Sequence, residues 1–173
     1  MAKKIYEACR RLLTTCANCQ PNENILIVTD TDSLEIGMAL WDAAEEFPKK
    51  TMVMMEPRKM HGEEPTPLVA AAMLKADVIF RATKFSLSHS HARRDACAAG
   101  ARDLNCCDYS IEMLEHGGLY TDFEADRKYV DQLLKSMADG DQVHITSEAG
   151  TDYYASIKGH KLFPQYGMVR NPG

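Results

Sequence analysis

The segment 83–94 holds the densest group of side chains that could carry out chemistry, with four hydroxyls, two imidazoles and two guanidiniums. It follows an apolar run typical of a buried strand and leads into a helical pattern. Such groups at a strand-to-helix turn could bind an anionic or polar ligand together with the backbone N–H groups of the helix start. A second interpretation stays open, in which Ser88 or Ser90 only caps the helix and the arginines face solvent.

Other chemistries have weaker support from residue spacing. His89 and His91 could provide two ligands of a metal site, but no acidic or thiol side chain nearby in sequence has a defined ligand role. A serine beside a histidine could be a nucleophile with its base, yet the chain has no G-x-S-x-G elbow. The turn 30–32 contains no glycine, which excludes a dinucleotide fingerprint and a phosphate loop there.

Six cysteines are expected to be free thiols, because a chain of this length without an export signal would keep them reduced. Cys16 and Cys19 have the CxxC spacing, but one thiol pair is only half of a tetrahedral zinc site. We expect these small side chains to face the core. The pair Cys106 and Cys107 lies at the end of a predicted strand, where thiolate chemistry would need an electropositive partner.

Composition limits the class of protein. The chain has 173 residues, of which 45% are hydrophobic, and a formal net charge of −5, which is the balance of a soluble globular protein. The longest apolar runs are far shorter than the roughly 20 residues that a membrane-spanning helix needs, and the start lacks the apolar core of a signal peptide. We therefore expect a cytoplasmic protein that uses no membrane. The acidic balance argues against nucleic acid as a partner.

The elements that must position segment 83–94 follow from apolar periodicity. Strands are predicted at 24–29, 51–55, 77–81 and 101–106. Helices are predicted at 3–19, 34–45, 68–75, 91–99 and 123–139. This alternation predicts an α/β fold with a mostly parallel sheet and flanking helices, a Rossmann-like three-layer arrangement. Short antiparallel strands are predicted at 142–147, 151–157 and 161–168. We assign 1–148 to the α/β domain and 149–173 to the start of a second, missing or partner-supplied domain.

The loops that follow the strands should lie side by side. In open parallel sheets, ligands bind beyond the carboxyl ends of the strands. These loops are 30–33, 56–58, 83–91 and 106–109. Segment 83–94 is the most polar of them, and it is therefore the predicted ligand-binding loop.

Three segments together resemble a known family: Ser86–Arg93, Gly100–Arg102 and Ser147–Asp152. Their order is similar to that in the amino-terminal domain of the aminopeptidase T family of metallopeptidases. The same superfamily includes the non-haem iron enzyme 2,5-dihydroxypyridine 5,6-dioxygenase. The resemblance extends over essentially the whole chain, with Ser88 and Ser90 in place of the threonines of the family pattern.

The resemblance implies that the metal ligands lie in a second, carboxyl-terminal domain, so no metal ligand is carried over to this chain. We expect no cofactor to be bound by this chain alone. A divalent metal, Zn, Mn, Co or Fe, is expected in the missing domain or in a metal-binding partner subunit. The chain would then be one part of a heteromeric, oligomeric enzyme.

The resemblance also implies that the serine-rich loop faces a cleft between two domains. His89 would be the catalytic acid or base, because an imidazole can exchange a proton near neutral pH. The substrate-binding residues would be Ser86, Ser88, Ser90, His91 and Arg93. The expected function is to shape the cleft of an amide or peptide hydrolase of the aminopeptidase T type. The alternatives are a subunit of a ring-cleaving non-haem iron dioxygenase, or a small-molecule-binding module without catalysis.

Overall fold

The computed structural model describes residues 2–171, which divide into two compact units. Among the described residues, the first unit comprises 2–120 with 168–171, and the second comprises Thr121–Gly167. The division predicted at residue 148 lies inside the second unit, between its two strands. Each unit is described separately below.

A four-stranded parallel sheet forms the centre of the first unit. Its strands are β1 (Ile25–Asp30), β2 (Lys50–Met55), β3 (Val78–Ala82) and β4 (Arg102–Asn105), in the order β2-β1-β3-β4. The two central strands, β1 and β3, are buried at every position, as expected of apolar strands covered on both faces. The predicted α/β fold with a parallel sheet and flanking helices is confirmed.

Helices precede, connect and follow these strands. They are α1 (Lys3–Arg11), α2 (Leu34–Ala43), α3 (Pro67–Met73), α4 (His91–Ala98) and α5 (Ile111–His116), with a 3-10 turn at Gly118–Tyr120. The first predicted helix is shorter than expected, because the chain passes into a π-helical turn at Leu12–Cys16. There the Thr14 hydroxyl donates to the carbonyl of Arg10 at 2.8 Å, a side-chain bond that competes with the helical ladder.

The core of the first unit lies on both faces of the sheet. One buried cluster joins β1 and β3 to α3 and α4, and includes Leu26, Ile79, Val69 and Ala96. The alternate strand positions, such as Ile27 and Phe80, are equally buried on the opposite face. The carboxyl ends of the strands are thereby held at one edge, where the loops meet.

The second unit is smaller and has its own elements. Helix α6 (Phe123–Met137) begins at Asp122, whose carboxylate accepts the N–H groups of Glu124 and Ala125 at 3.1 Å. Strands β5 (Gln142–Thr146) and β6 (Asp152–Ser156) pair antiparallel, which confirms the short antiparallel ending. Residues 161–168, all of which are described, form no strand, so the prediction of a third strand there is wrong.

Within residues 2–171, every helix is too short or too polar to cross a bilayer.

We expect Gly37→Ala to destabilise the protein through overpacking between α2 and β1. A Cβ atom at Gly37 would lie 2.8 Å from Oγ1 and 2.9 Å from Cβ of the fully buried Thr29. The free energy of unfolding, measured by urea denaturation, should fall by roughly 1–3 kcal/mol. Gly118→Ala is the matched control, since nothing lies within 4 Å of a Cβ there. Equal stability of the two variants would contradict this packing.

Candidate functional site

The loops at the carboxyl edge of the sheet contact one another. The backbone N–H of Lys84, after β3, donates to Oδ2 of Asp30 at the end of β1, at 2.7 Å. The N–H of Asp108, after β4, donates to the carbonyl of Thr83 at 3.0 Å. Lys84 and Asp108 also form an ion pair of 2.7 Å. The prediction that these loops lie side by side is confirmed for the loops after β1, β3 and β4.

The loop between β2 and α3 lies against segment 83–94. The N–H of Gly62 donates to the carbonyl of Ser86 at 2.7 Å, and the N–H of Ser86 donates to Nδ1 of His61 at 3.1 Å. The His61 ring also packs edge-on against Phe85, with centroids 5.3 Å apart. These reciprocal contacts determine the path of the serine-rich loop.

The start of α4 is already occupied. Both carboxylate oxygens of Glu64 accept backbone N–H groups there, from His91 at 2.5 Å and from Ala92 at 3.1 Å. The N–H of His91 is the main cause of the lowered pKa of the Glu64 carboxyl. Ser90 caps the next N–H, since its Oγ accepts from Arg93 at 3.2 Å. The expectation that a ligand would use these N–H groups is therefore wrong, because the chain's own side chains take them.

A buried ion cluster lies behind the serine-rich loop. Arg81, only 1% exposed on β3, donates from Nε and Nη2 to the two carboxylate oxygens of Asp103 at 2.6 and 2.7 Å. Asp103 on β4 is also buried, and its Oδ2 accepts a third bond, from Nε of Arg93 at 3.0 Å. One carboxylate thus joins two strands to α4. Buried charges are tolerated only when they are paired in this way.

The serines connect this cluster to the surface. Ser88 Oγ accepts from Nη2 of Arg81 at 3.2 Å and from the hydroxyl of Ser86 at 2.8 Å. Ser86 Oγ accepts in turn from the N–H of Ser88 at 3.1 Å. Both serines are half-buried, and the side chain of Arg93 is 39% exposed. A continuous hydrogen-bonded chain therefore runs from the interior of the sheet to the loop.

The predicted site residues fall into two groups. Ser86, Ser88 and Arg93 are brought together through Arg81 and Asp103. His89 and His91 are exposed and lie outside this network, and within residues 2–171 the imidazole of His89 has no hydrogen-bond partner.

Ser90 is buried, and its hydroxyl donates to the carbonyl of Leu87 at 2.8 Å. Because the same oxygen accepts the N–H of Arg93, the open interpretation of Ser90 as a helix cap is confirmed. Its substrate-binding role stays a prediction.

Arg81, Asp103 and Glu64 were not selected from the sequence as site residues. A signal was available for the first two, since a charged side chain inside an otherwise apolar strand needs a buried partner. The adjacent parallel strand places Asp103 opposite Ile79, two positions before Arg81. Glu64 gave no comparable signal, because its contact with α4 joins residues far apart in sequence.

Metal chemistry has no ligand set in the part of the chain that the structure describes. No group of three or more His, Cys, Asp or Glu side chains there could hold a metal ion, so these residues do not fit an iron centre. Burial raises the pKa of the Cys16 thiol to about 11 and that of Cys19 to about 12, which opposes thiolate ligation by the CxxC pair.

Comparison with known proteins found one family. The model of the family described as NicX, 2,5-dihydroxypyridine 5,6-dioxygenase, matches residues 4–173. Searches of curated proteins and of solved structures found no match. The family match favours the dioxygenase alternative, and no comparison supports the aminopeptidase interpretation.

We expect Asp103→Asn to destabilise the protein strongly, because it leaves the buried Arg81 guanidinium without its counter-ion. Removing one partner of a buried pair costs about 3–5 kcal/mol of unfolding free energy. Asp108→Asn is the matched control, since its pair with Lys84 is exposed and its loss should change stability far less. Chemical denaturation of both variants measures the difference, and similar values would contradict the role of Asp103.

We expect a single cysteine, Cys107, to react readily with iodoacetamide in the native protein. It is half-buried, whereas the other five are buried. Burial raises the pKa of the Cys107 thiol, so its alkylation rate should keep rising with pH beyond the range where a free cysteine levels off. Cys107→Ser should abolish the fast labelling seen by mass spectrometry, and Cys97→Ser should not. Fast labelling of a second site would contradict the expected burial.

Proposed function

The chain belongs to the 2,5-dihydroxypyridine 5,6-dioxygenase family, and we propose that it is the non-metal-binding half or subunit of a ring-cleaving dioxygenase. The match over residues 4–173 is the observation that carries this proposal. The chain would shape the substrate cleft, and a second domain or a partner subunit would hold the iron. The substrate would be a small hydroxylated ring of the kind named in the family description.

The loop between β3 and α4 is the part of the chain that we assign to the cleft. It lies at the carboxyl edge of a parallel sheet, where ligands of such folds bind. Ser86, Ser88 and Arg93 combine exposure with a rigid connection to the buried Arg81 and Asp103 pair. Side chains held in this way can orient a substrate without losing much freedom on binding.

His89 is the proposed acid or base. Its imidazole is exposed and free of hydrogen-bond partners among residues 2–171, so both nitrogens are available to a ligand. Its backbone lies between Ser88 of the hydrogen-bonded network and Ser90 of the helix cap. His89 would accept the proton of a ring hydroxyl, or hold it, as the substrate binds.

Ser90 and His91 would act differently from the other predicted contacts. Because the Ser90 hydroxyl is buried and used in capping, Ser90 would shape the loop without touching substrate. His91 is the first residue of α4. Its exposed side chain could reach the same cleft.

A small-molecule-binding module without catalysis is the second candidate. The observation that favours it is a buried guanidinium nitrogen, Nη1 of Arg81, that has no partner among the described residues. An unpaired buried donor of this kind supports binding of a polar group, whether or not chemistry follows. The two candidates differ in one respect, since only the first requires a metal-bearing partner.

We expect the chain, co-expressed with the adjacent reading frame, to purify as an iron-containing complex that consumes dioxygen with 2,5-dihydroxypyridine. Loss of a general acid or base lowers kcat by about 100-fold or more, which is the result expected for His89→Gln. His116→Gln is the control, because this histidine is an exposed residue of α5 outside the loop.

Two results would contradict the proposal. A chain that purifies alone, with no iron-bearing partner and no dioxygen consumption in the co-expressed preparation, would favour the binding module. A His89→Gln complex with unchanged kcat would remove His89 from the chemistry.

A further inference from the structure

We infer that Arg81, Arg93 and Ser88 form a subsite for a singly charged anionic oxygen group of the ligand, either a carboxylate or an ionised ring hydroxyl. The inference rests on the proposed function for the assignment of this loop to the substrate cleft. It adds the charge and hydrogen-bonding character of the group that the loop recognises.

The first observation is the unsatisfied nitrogen of Arg81. Asp103 accepts hydrogen bonds from Nε and Nη2 of Arg81, and Ser88 accepts a further hydrogen bond from Nη2. Nη1 is shielded from solvent and has no partner within residues 2–171. An unmade hydrogen bond of a buried charged group costs more than that of a neutral one. Arg81 therefore keeps one unmade hydrogen bond within the cluster.

The second observation is the charge of the cluster. Arg81 and Arg93 share one counter-ion, Asp103, whose Oδ2 accepts a bond from each of them. Two guanidiniums and one carboxylate leave one unit of positive charge. A monoanion would neutralise the cluster. A phosphate dianion would leave an excess negative charge beside the buried carboxylate, which is unfavourable at low dielectric.

The third observation is that the remaining hydrogen-bonding capacity consists of donors. Ser88 Oγ already accepts from Arg81 and from Ser86, so its own hydroxyl hydrogen is left to donate. Arg93 uses Nε for Asp103, while its two terminal nitrogens make no hydrogen bond among the described residues, on a side chain that is 39% exposed. Such a set complements a group that only accepts, as carboxylates and ring oxyanions do.

The neighbouring helix start does not compete for this anion. Glu64 and Ser90 already accept the first N–H groups of α4. The negative carboxylate of Glu64 would repel a second anion at that place. The subsite is therefore made of side chains on β3, α4 and the serine-rich loop.

The test titrates the full chain with benzoate, 2,5-dihydroxypyridine, phenyl phosphate and benzyl alcohol. Binding is measured by calorimetry and by the ¹⁵N–¹H signals of the arginine Nε groups. We expect benzoate or 2,5-dihydroxypyridine to bind and to shift the Arg81 and Arg93 signals, with weaker binding of the dianion and the neutral alcohol. Binding of benzoate would identify the recognised group as a carboxylate, and binding of 2,5-dihydroxypyridine would identify it as a ring oxygen. Charge-assisted hydrogen bonds of this kind predict at least a roughly tenfold loss of affinity in Arg93→Gln.

Arg127→Gln is the control, because Arg127 is a half-exposed residue of α6, outside the serine-rich loop, and pairs with Asp131 of the same helix. Its affinity should equal that of the unchanged chain. Equal loss in both variants, or no binding of either anion, would overturn the subsite. Anion binding by a chain whose iron-containing complex fails to cleave the ring would leave the subsite in place and overturn only the proposed function.

Discussion

Asp103 accepts hydrogen bonds from two arginines at the edge of the parallel sheet, and the geometry of the candidate site depends on this single carboxylate. Arg81 lies on β3, Arg93 on α4 and Asp103 on β4, so the cluster joins three consecutive elements. Burying these charges costs solvation that only close pairing can offset. The arrangement is therefore rigid, and it restricts the motion of the serines that are hydrogen-bonded to it.

The rigid ion cluster lies on the buried side of the serine-rich loop, and the other side of the loop carries exposed side chains. Glu64 and Ser90 satisfy the start of α4, while His61 and Gly62 hold the backbone at Ser86. These contacts satisfy backbone hydrogen-bonding groups of the loop. The exposed His89 imidazole makes no hydrogen bond among the described residues. A loop whose backbone is fully constrained but whose imidazole is free suits a chain that supplies substrate contacts to a reaction centre held elsewhere.

Much of the fold could be predicted because apolar periodicity reports burial directly. The four parallel strands and α4 begin within one residue of their predicted positions. Apolar periodicity did not predict the secondary structure correctly where local hydrogen bonds determine the backbone conformation. The Thr14 hydroxyl bond accompanies a π-helical turn inside the first predicted helix, and α5, six residues long, is too short to show a repeat. Residues 161–168 lie among glycines and are expected to form a short strand, yet the described structure pairs them with no strand.

The amino-acid sequence by itself determined the parallel α/β architecture, the loop that carries the polar side chains, and a resemblance that included the dioxygenase family. It could not decide between that family and the aminopeptidases, since the matching segments are common to both. Only the tertiary structure decided which groups remain available to a ligand. Glu64 lies 27 residues from the helix start that it occupies, and Arg81 lies 22 residues from the carboxylate that pairs with it. Contacts of this kind depend on the desolvation of charges after the strands and helices have packed, and no local pattern of residues encodes that outcome.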